Sequence, residues 1–139
     1  LILLDTSFVF ALLDRGDARH EEAARWYAGE TGGFATTPLV LAELDHLLRS
    51  RATPAALEAF LGELRAGSLG VEWWEGLEER AAGVAQRYGG LGISLTDASL
   101  VALAAGLETD RIASFDERHF RAIEPLTRAT AFTLLPADA

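Results

Sequence analysis

The chain has 139 residues, 50% of them hydrophobic and 24% charged, an ordinary globular balance that suits one domain over residues 1–139. It has no cysteine, which excludes disulfides, thiol nucleophiles and zinc–thiolate sites, and all 12 basic residues are arginine, which excludes a Walker A lysine and Schiff-base chemistry. The formal net charge of −9 argues against wrapping duplex nucleic acid and suits carboxylates that need a divalent cation, or a basic partner.

The first strand is expected at Leu1 to Asp5, a continuous apolar run of the kind buried on both faces of a sheet. That run is too short for a signal peptide or a membrane span, so a cytoplasmic protein without membrane contact is expected. An amphipathic helix follows at Ala18 to Ala28, with Asp17 as its cap. Strand 2 is expected at Phe34 to Thr37. The next helix runs from Pro38 to Arg49, with proline at its favoured first position. Thr53-Pro54 opens another helix, which ends near Ala66-Gly67. Strand 3 is expected at Val71 to Trp74, where Trp73 and Trp74 point to opposite sides. A helix from Glu75 to Tyr88 stops at Gly89-Gly90. The helix from Thr96 to Ala105 is apolar nearly all round and reads as buried. Strands at Arg111 to Phe115 and Phe132 to Leu135 complete the chain. This alternation is the α/β signature, and a parallel sheet of order 3-2-1-4-5 would make the first and fourth strands neighbours at a switch point.

Acids stand where such a sheet gathers its chemistry. Asp5 ends the first strand and Asp116 ends the fourth. Either could simply cap the helix that follows. Glu43 and Asp45 lie on opposite edges of the apolar stripe of their helix, so periodicity does not choose between them. Asp97 sits in the first turn of the buried helix, where a carboxylate suits the helix dipole but needs a partner away from water. Three histidines without an HxxxH pair leave no histidine-built metal site and no evident histidine base. Carboxylates from distant parts of the chain, without lysine, point to Mg²⁺ or Mn²⁺ and to hydrolysis of phosphodiesters.

Four segments carry a resemblance: Leu3-Leu4-Asp5-Thr6-Ser7, Leu41-Ala42-Glu43-Leu44, Ser94-Leu95-Thr96-Asp97-Ala98 and Ile112-Ala113-Ser114-Phe115-Asp116. In this order they resemble the acidic motifs of the PIN domain. The length, together with Asp116-Glu117-Arg118-His119-Phe120, resembles the VapC toxins of toxin–antitoxin pairs. The resemblance implies a three-layer α/β/α fold with a short parallel sheet. It also implies an endoribonuclease dependent on Mg²⁺ or Mn²⁺, with Asp5, Glu43, Asp97 and Asp116 as its metal-binding acids. It selects Glu43 over Asp45. Thr6, Ser7 and Ser114 would be hydroxyls that orient those carboxylates or a bound water. A VapB-type antitoxin, an RNA substrate (transfer or ribosomal) and a homodimer are the implied partners. The rival readings are a non-toxin PIN nuclease and a catalytically silent PIN-like module that binds RNA or protein. Arg15, Arg19, Arg118 and Arg121 flank the acidic segments and are read first as solvated surface, then as phosphate contacts.

Overall fold

In the computed structural model, which describes residues 1–139, four short parallel strands form the sheet, Asp5 directly follows the first and Asp116 lies three residues past the third. These are β1 (Ile2–Leu4), β2 (Phe34–Ala35), β3 (Arg111–Ala113) and β4 (Thr133–Leu135), in the order β2-β1-β3-β4. Leu3 is in register with Ala35 on one side and Ile112 on the other. Ile2, Leu3 and Leu4 are all fully buried although successive side chains point to opposite faces, so helices cover the sheet on both sides. Each such side chain contributes about 1.5–3 kcal/mol by leaving water.

The sheet has four strands where five were expected. The Val71 to Trp74 segment makes one parallel bridge, Val71 to Thr36, at the β2 edge. Gly70 presses so close to β2 that a Cβ there would lie 2.6 Å from the Phe34 carbonyl oxygen. After the Glu72 N–H reaches Thr36, the chain leaves the sheet through a turn in which the Trp74 carbonyl accepts from Leu77. The bridge stands where strand 3 was placed, and the remaining strands keep their expected neighbours. Trp73 packs on the core, while Trp74 is exposed and lies across Gly106.

Seven α-helices surround the sheet: α1 (Thr6–Leu13), α2 (His20–Gly29), α3 (Pro38–Arg51), α4 (Pro54–Ala66), α5 (Leu77–Arg87), α6 (Leu95–Gly106) and α7 (Glu117–Ala122). Hydroxyl caps start three of them: Thr37 accepts from Val40, Thr53 from Ala56 and Ser94 from Asp97. Gly67, at φ +71°, ends α4 in the left-handed conformation that favours glycine. Residues Asp97 through Ala104 of α6 are all buried, and α6 packs on α3 and α5. Helices α1 and α7 were not expected. The apolar run of strand 1 continues through Phe8, Val9 and Phe10, so only Asp5 marks the change from strand to helix. Helix α2 begins later than expected because the Asp17 carboxylate is used in the preceding turn, accepting from the Arg19 N–H at 2.8 Å. No helix is long and apolar enough to cross a membrane.

Candidate active site

Parallel pairing brings the carboxyl ends of β1 and β3 side by side, and the Asp5 N–H donates to the Ala113 carbonyl at 3.0 Å. Asp5 is 3% exposed. Its Oδ2 accepts from Ser7 Oγ at 2.8 Å and from Ser114 Oγ at 2.6 Å. Ser7 Oγ in turn accepts from the Phe115 N–H, and Ser114 Oγ from the Asp116 N–H. The two hydroxyls therefore clamp Asp5 to the segment that carries Asp116. The Thr6 hydroxyl is buried and meets none of the carboxylates, while the Thr6 backbone supports the charged form of Asp5.

Burial pushes the Asp5 carboxyl up to about 6, against the serine hydrogen bonds that favour its charge, and nearby Asp97 adds to the rise. Asp97, buried in the first turn of α6, is also raised. Desolvation is the main cause, followed by the charge of Asp116; Glu43 adds to it, while His119 acts in the opposite direction. Asp116 caps α7, its Oδ1 accepting from the His119 N–H at 3.4 Å. The capping role foreseen for it is thus real, and its Oδ2 is still directed to the cluster.

Glu43 and Asp45, equivalent by periodicity, are separated by the structure. Glu43 is half-buried and close enough to Asp97 to disfavour its charge. Asp45 turns to Arg49 at 3.0 Å on the surface of α3.

His119 was missed by the sequence reading, which left no place for a histidine. Its Nδ1 lies 2.9 Å from Asp116 Oδ2 and 3.2 Å from Asp97 Oδ2, buried, with neither contact aligned as a hydrogen bond. The available signal was spacing: His119 falls three residues after Asp116, on the helix face that Asp116 caps.

The donor atoms of Asp97, Asp116 and His119 lie within 4.8 Å of one another. No arginine reaches this cluster, since every arginine ion pair in the structure lies elsewhere. Buried carboxylates with raised proton affinity, no arginine partner and one unaligned imidazole nitrogen fit a divalent cation.

The PIN domain family matches residues 2–125. Ribonuclease VapC26 of Mycobacterium tuberculosis is 31% identical over 136 residues, covering 97% of this chain and all of that protein. The crystal structure of M. tuberculosis VapC20, a sarcin–ricin loop cleaving toxin, is 31% identical and superposes with a TM-score of 0.76 over 84% of this chain and 91% of that one. A toxin–antitoxin complex from Klebsiella pneumoniae, 16% identical, shares the fold with a TM-score of 0.66 over 96% of this chain and all of the matched one. The chain belongs to the PIN-domain family and, within it, to the VapC ribonucleases.

Proposed function

We propose that this ribonuclease is the toxin of a toxin–antitoxin pair. In this reading it hydrolyses RNA phosphodiesters with Mg²⁺ or Mn²⁺ held by Asp5, Glu43, Asp97 and Asp116. The observation that carries the reading is the burial of Asp5 and Asp97 beside Asp116 with no arginine to balance them. A bound divalent ion would activate a water and stabilise charge on the scissile phosphate. Ser7 and Ser114 fix the Asp5 carboxylate, so it meets its ligand without reorganising. Asp97 or Glu43 orients the attacking water and accepts its proton. Water attacks in place of the ribose 2′-hydroxyl, so the products carry a 5′-phosphate and a 3′-hydroxyl.

Membership of the VapC group supports a VapB-type antitoxin as the protein partner. An arginine of that partner would pair with the acids and block metal entry. The same kinship supports a homodimer, one domain over the chain and action on transfer or ribosomal RNA in the cytoplasm.

Asp97→Asn tests the site. It keeps the shape but makes a poor ligand that cannot take a proton. Mg²⁺-dependent cleavage of cellular RNA should be lost, along with most of the melting-temperature gain that Mg²⁺ gives the wild type. An active variant with an unchanged response to Mg²⁺ would refute the assignment.

A further inference from the structure

A second concavity adjoins the acids. It has a volume of about 260 Å³ and lies between α1, the turn before α2, the end of α3 and the residue after Ser114. Ser7, Arg19, Arg51 and Phe115 line it, with Phe10 and Leu47 as its apolar floor. Two of these residues also belong to the site already described. Ser7 donates to Asp5, and Phe115 donates its N–H to Ser7 and stands between Ser114 and Asp116 in the chain. The cavity therefore shares Ser7 and Phe115 with the hydrogen-bond network that holds Asp5.

Its lining brings two arginines together. In a chain of net charge −9, Arg19 and Arg51 both face this one cavity. Arg51 makes no ion pair, and Arg19 is held from two sides. Glu22 takes its Nη1 at 3.0 Å, and its guanidinium lies over the Phe115 ring at 5.1 Å. Asp17 also borders the cavity, its carboxylate accepting from the Arg19 backbone N–H, so Arg51 is the unpaired positive charge there. Two guanidinium groups suit a phosphate, and an aromatic ring layered with arginine suits an unstacked base. A cavity of about 260 Å³ suits a single nucleotide.

We propose that this cavity is a nucleotide subsite. It holds the single-stranded RNA nucleotide next to the scissile bond, with Arg19 and Arg51 on its phosphate and the Phe115–Arg19 layer under its base. The proposal rests on the ribonuclease reading above. It assigns a substrate-holding role to residues outside the acid cluster, and it reads base stacking as sequence-tolerant, so target choice lies elsewhere.

The test uses the double variant Arg19→Gln, Arg51→Gln; both side chains are exposed, so the fold is retained. In full-length protein also carrying Asp97→Asn, anisotropy with a fluorescein-labelled mixed-sequence oligoribonucleotide in Mg²⁺ measures affinity across a salt series. Losing two single-strand phosphate contacts should flatten the slope of log K against log salt by about 1.4, at about 0.7 per contact. Phe115→Leu should weaken binding about tenfold with the slope unchanged. In the otherwise wild-type chain, the double variant should raise KM for RNA cleavage while kcat and the Mg²⁺-induced melting shift stay near wild type. Unchanged affinity, slope and KM, in a wild type that does cleave RNA, would overturn the subsite alone. So would a double variant that keeps RNA binding but loses its co-purifying antitoxin, since the cavity would then seat a protein. A wild type that neither binds nor cleaves RNA with Mg²⁺ would overturn the ribonuclease reading, and the subsite with it.

Discussion

Asp5 offers the sharpest test of a carboxylate held against its own solvation. Its proton affinity in the folded chain corresponds to a pKa of about 6, against 3.8 for the ordinary carboxyl. Because the folded value is the higher one, the native state binds this proton more tightly than the unfolded state. Without metal, the associated stability is therefore present below the unfolded value and is lost as pH rises through about 6. At about 1.36 kcal/mol for each tenfold change in proton affinity, the whole effect is on the order of 3 kcal/mol, roughly half of which falls between about pH 5 and pH 7.5. Asp5→Asn cannot ionise and removes this dependence. The amide still accepts from Ser7 and Ser114, though more weakly, by about 1 kcal/mol or less. Urea unfolding of wild type and Asp5→Asn in chelator at both pH values reads this contribution together with its coupling to Asp97, since the more distant carboxylates are common to both proteins. The expected result is a variant that gains on the wild type by about 1–1.5 kcal/mol between the two pH values. Mg²⁺ should then stabilise the wild type far more than the variant. A stability difference that does not move with pH would refute the picture of Asp5 as a buried charge awaiting a cation.

Glu43→Gln should sharply reduce Mg²⁺-dependent cleavage. Asp45→Asn should leave cleavage intact and lose only an exposed helix pair worth about 0.3–0.5 kcal/mol; parallel cleavage assays and melts compare them. Gly70→Ala should destabilise by about 1–3 kcal/mol in urea unfolding, because its Cβ meets a fixed backbone oxygen rather than a movable side chain. Asp138, held at about 2 by the Arg121 guanidinium and the Leu134 N–H, ties α7 to the end of β4. Its folded value lies below the ordinary one, so the tie is present above about pH 4 and is lost as pH falls through about 2. Amide exchange at Leu134 should speed up in that window for wild type, and at all pH values for Asp138→Asn.

The strand-terminal acids were legible because a parallel sheet gathers its carboxyl ends, and two acids at adjacent strand ends are a pattern that a linear sequence preserves. The buried helix was legible from its composition, since Ala, Leu and Val on every face leave no side for water. Helix α1 was hidden because a buried strand and a buried helix both read as unbroken apolar runs. The choice between Glu43 and Asp45 was hidden for a different reason. Periodicity fixes the angle from the stripe but not which neighbour lies on each side, and α6 lies on the Glu43 side. His119 was discounted by counting histidines for an all-histidine site, while its partners were acids, Asp116 one turn earlier and Asp97 on another helix. The Ser7–Ser114 clamp joins residues 107 apart and follows only from the β1–β3 pairing.

An acidic protein that cuts a polyanion must overcome its own field, and the arrangement of charge shows where it does so. Four arginines away from the site are spent on local surface pairs: Arg49 with Asp45, Arg87 with Glu124, Arg111 with Glu30, Arg121 with Asp138. Those pairs offer a phosphate little, because their charge is already answered. On the proposed reading the acid cluster repels RNA until a cation occupies it, which would couple substrate affinity and metal affinity at one place. Arg51, which makes no ion pair, supplies attraction beside it that does not depend on the cation, and Arg19 adds to this by leaving its weak exposed pair with Glu22. Salt acts on these two forces with opposite signs, screening the repulsion of the whole chain while weakening the two arginine contacts. Removing the two arginines takes away part of the attraction that salt weakens. In the double variant RNA affinity should therefore fall less steeply with salt than in the wild type, and a steeper fall would place the attractive contacts elsewhere on the surface.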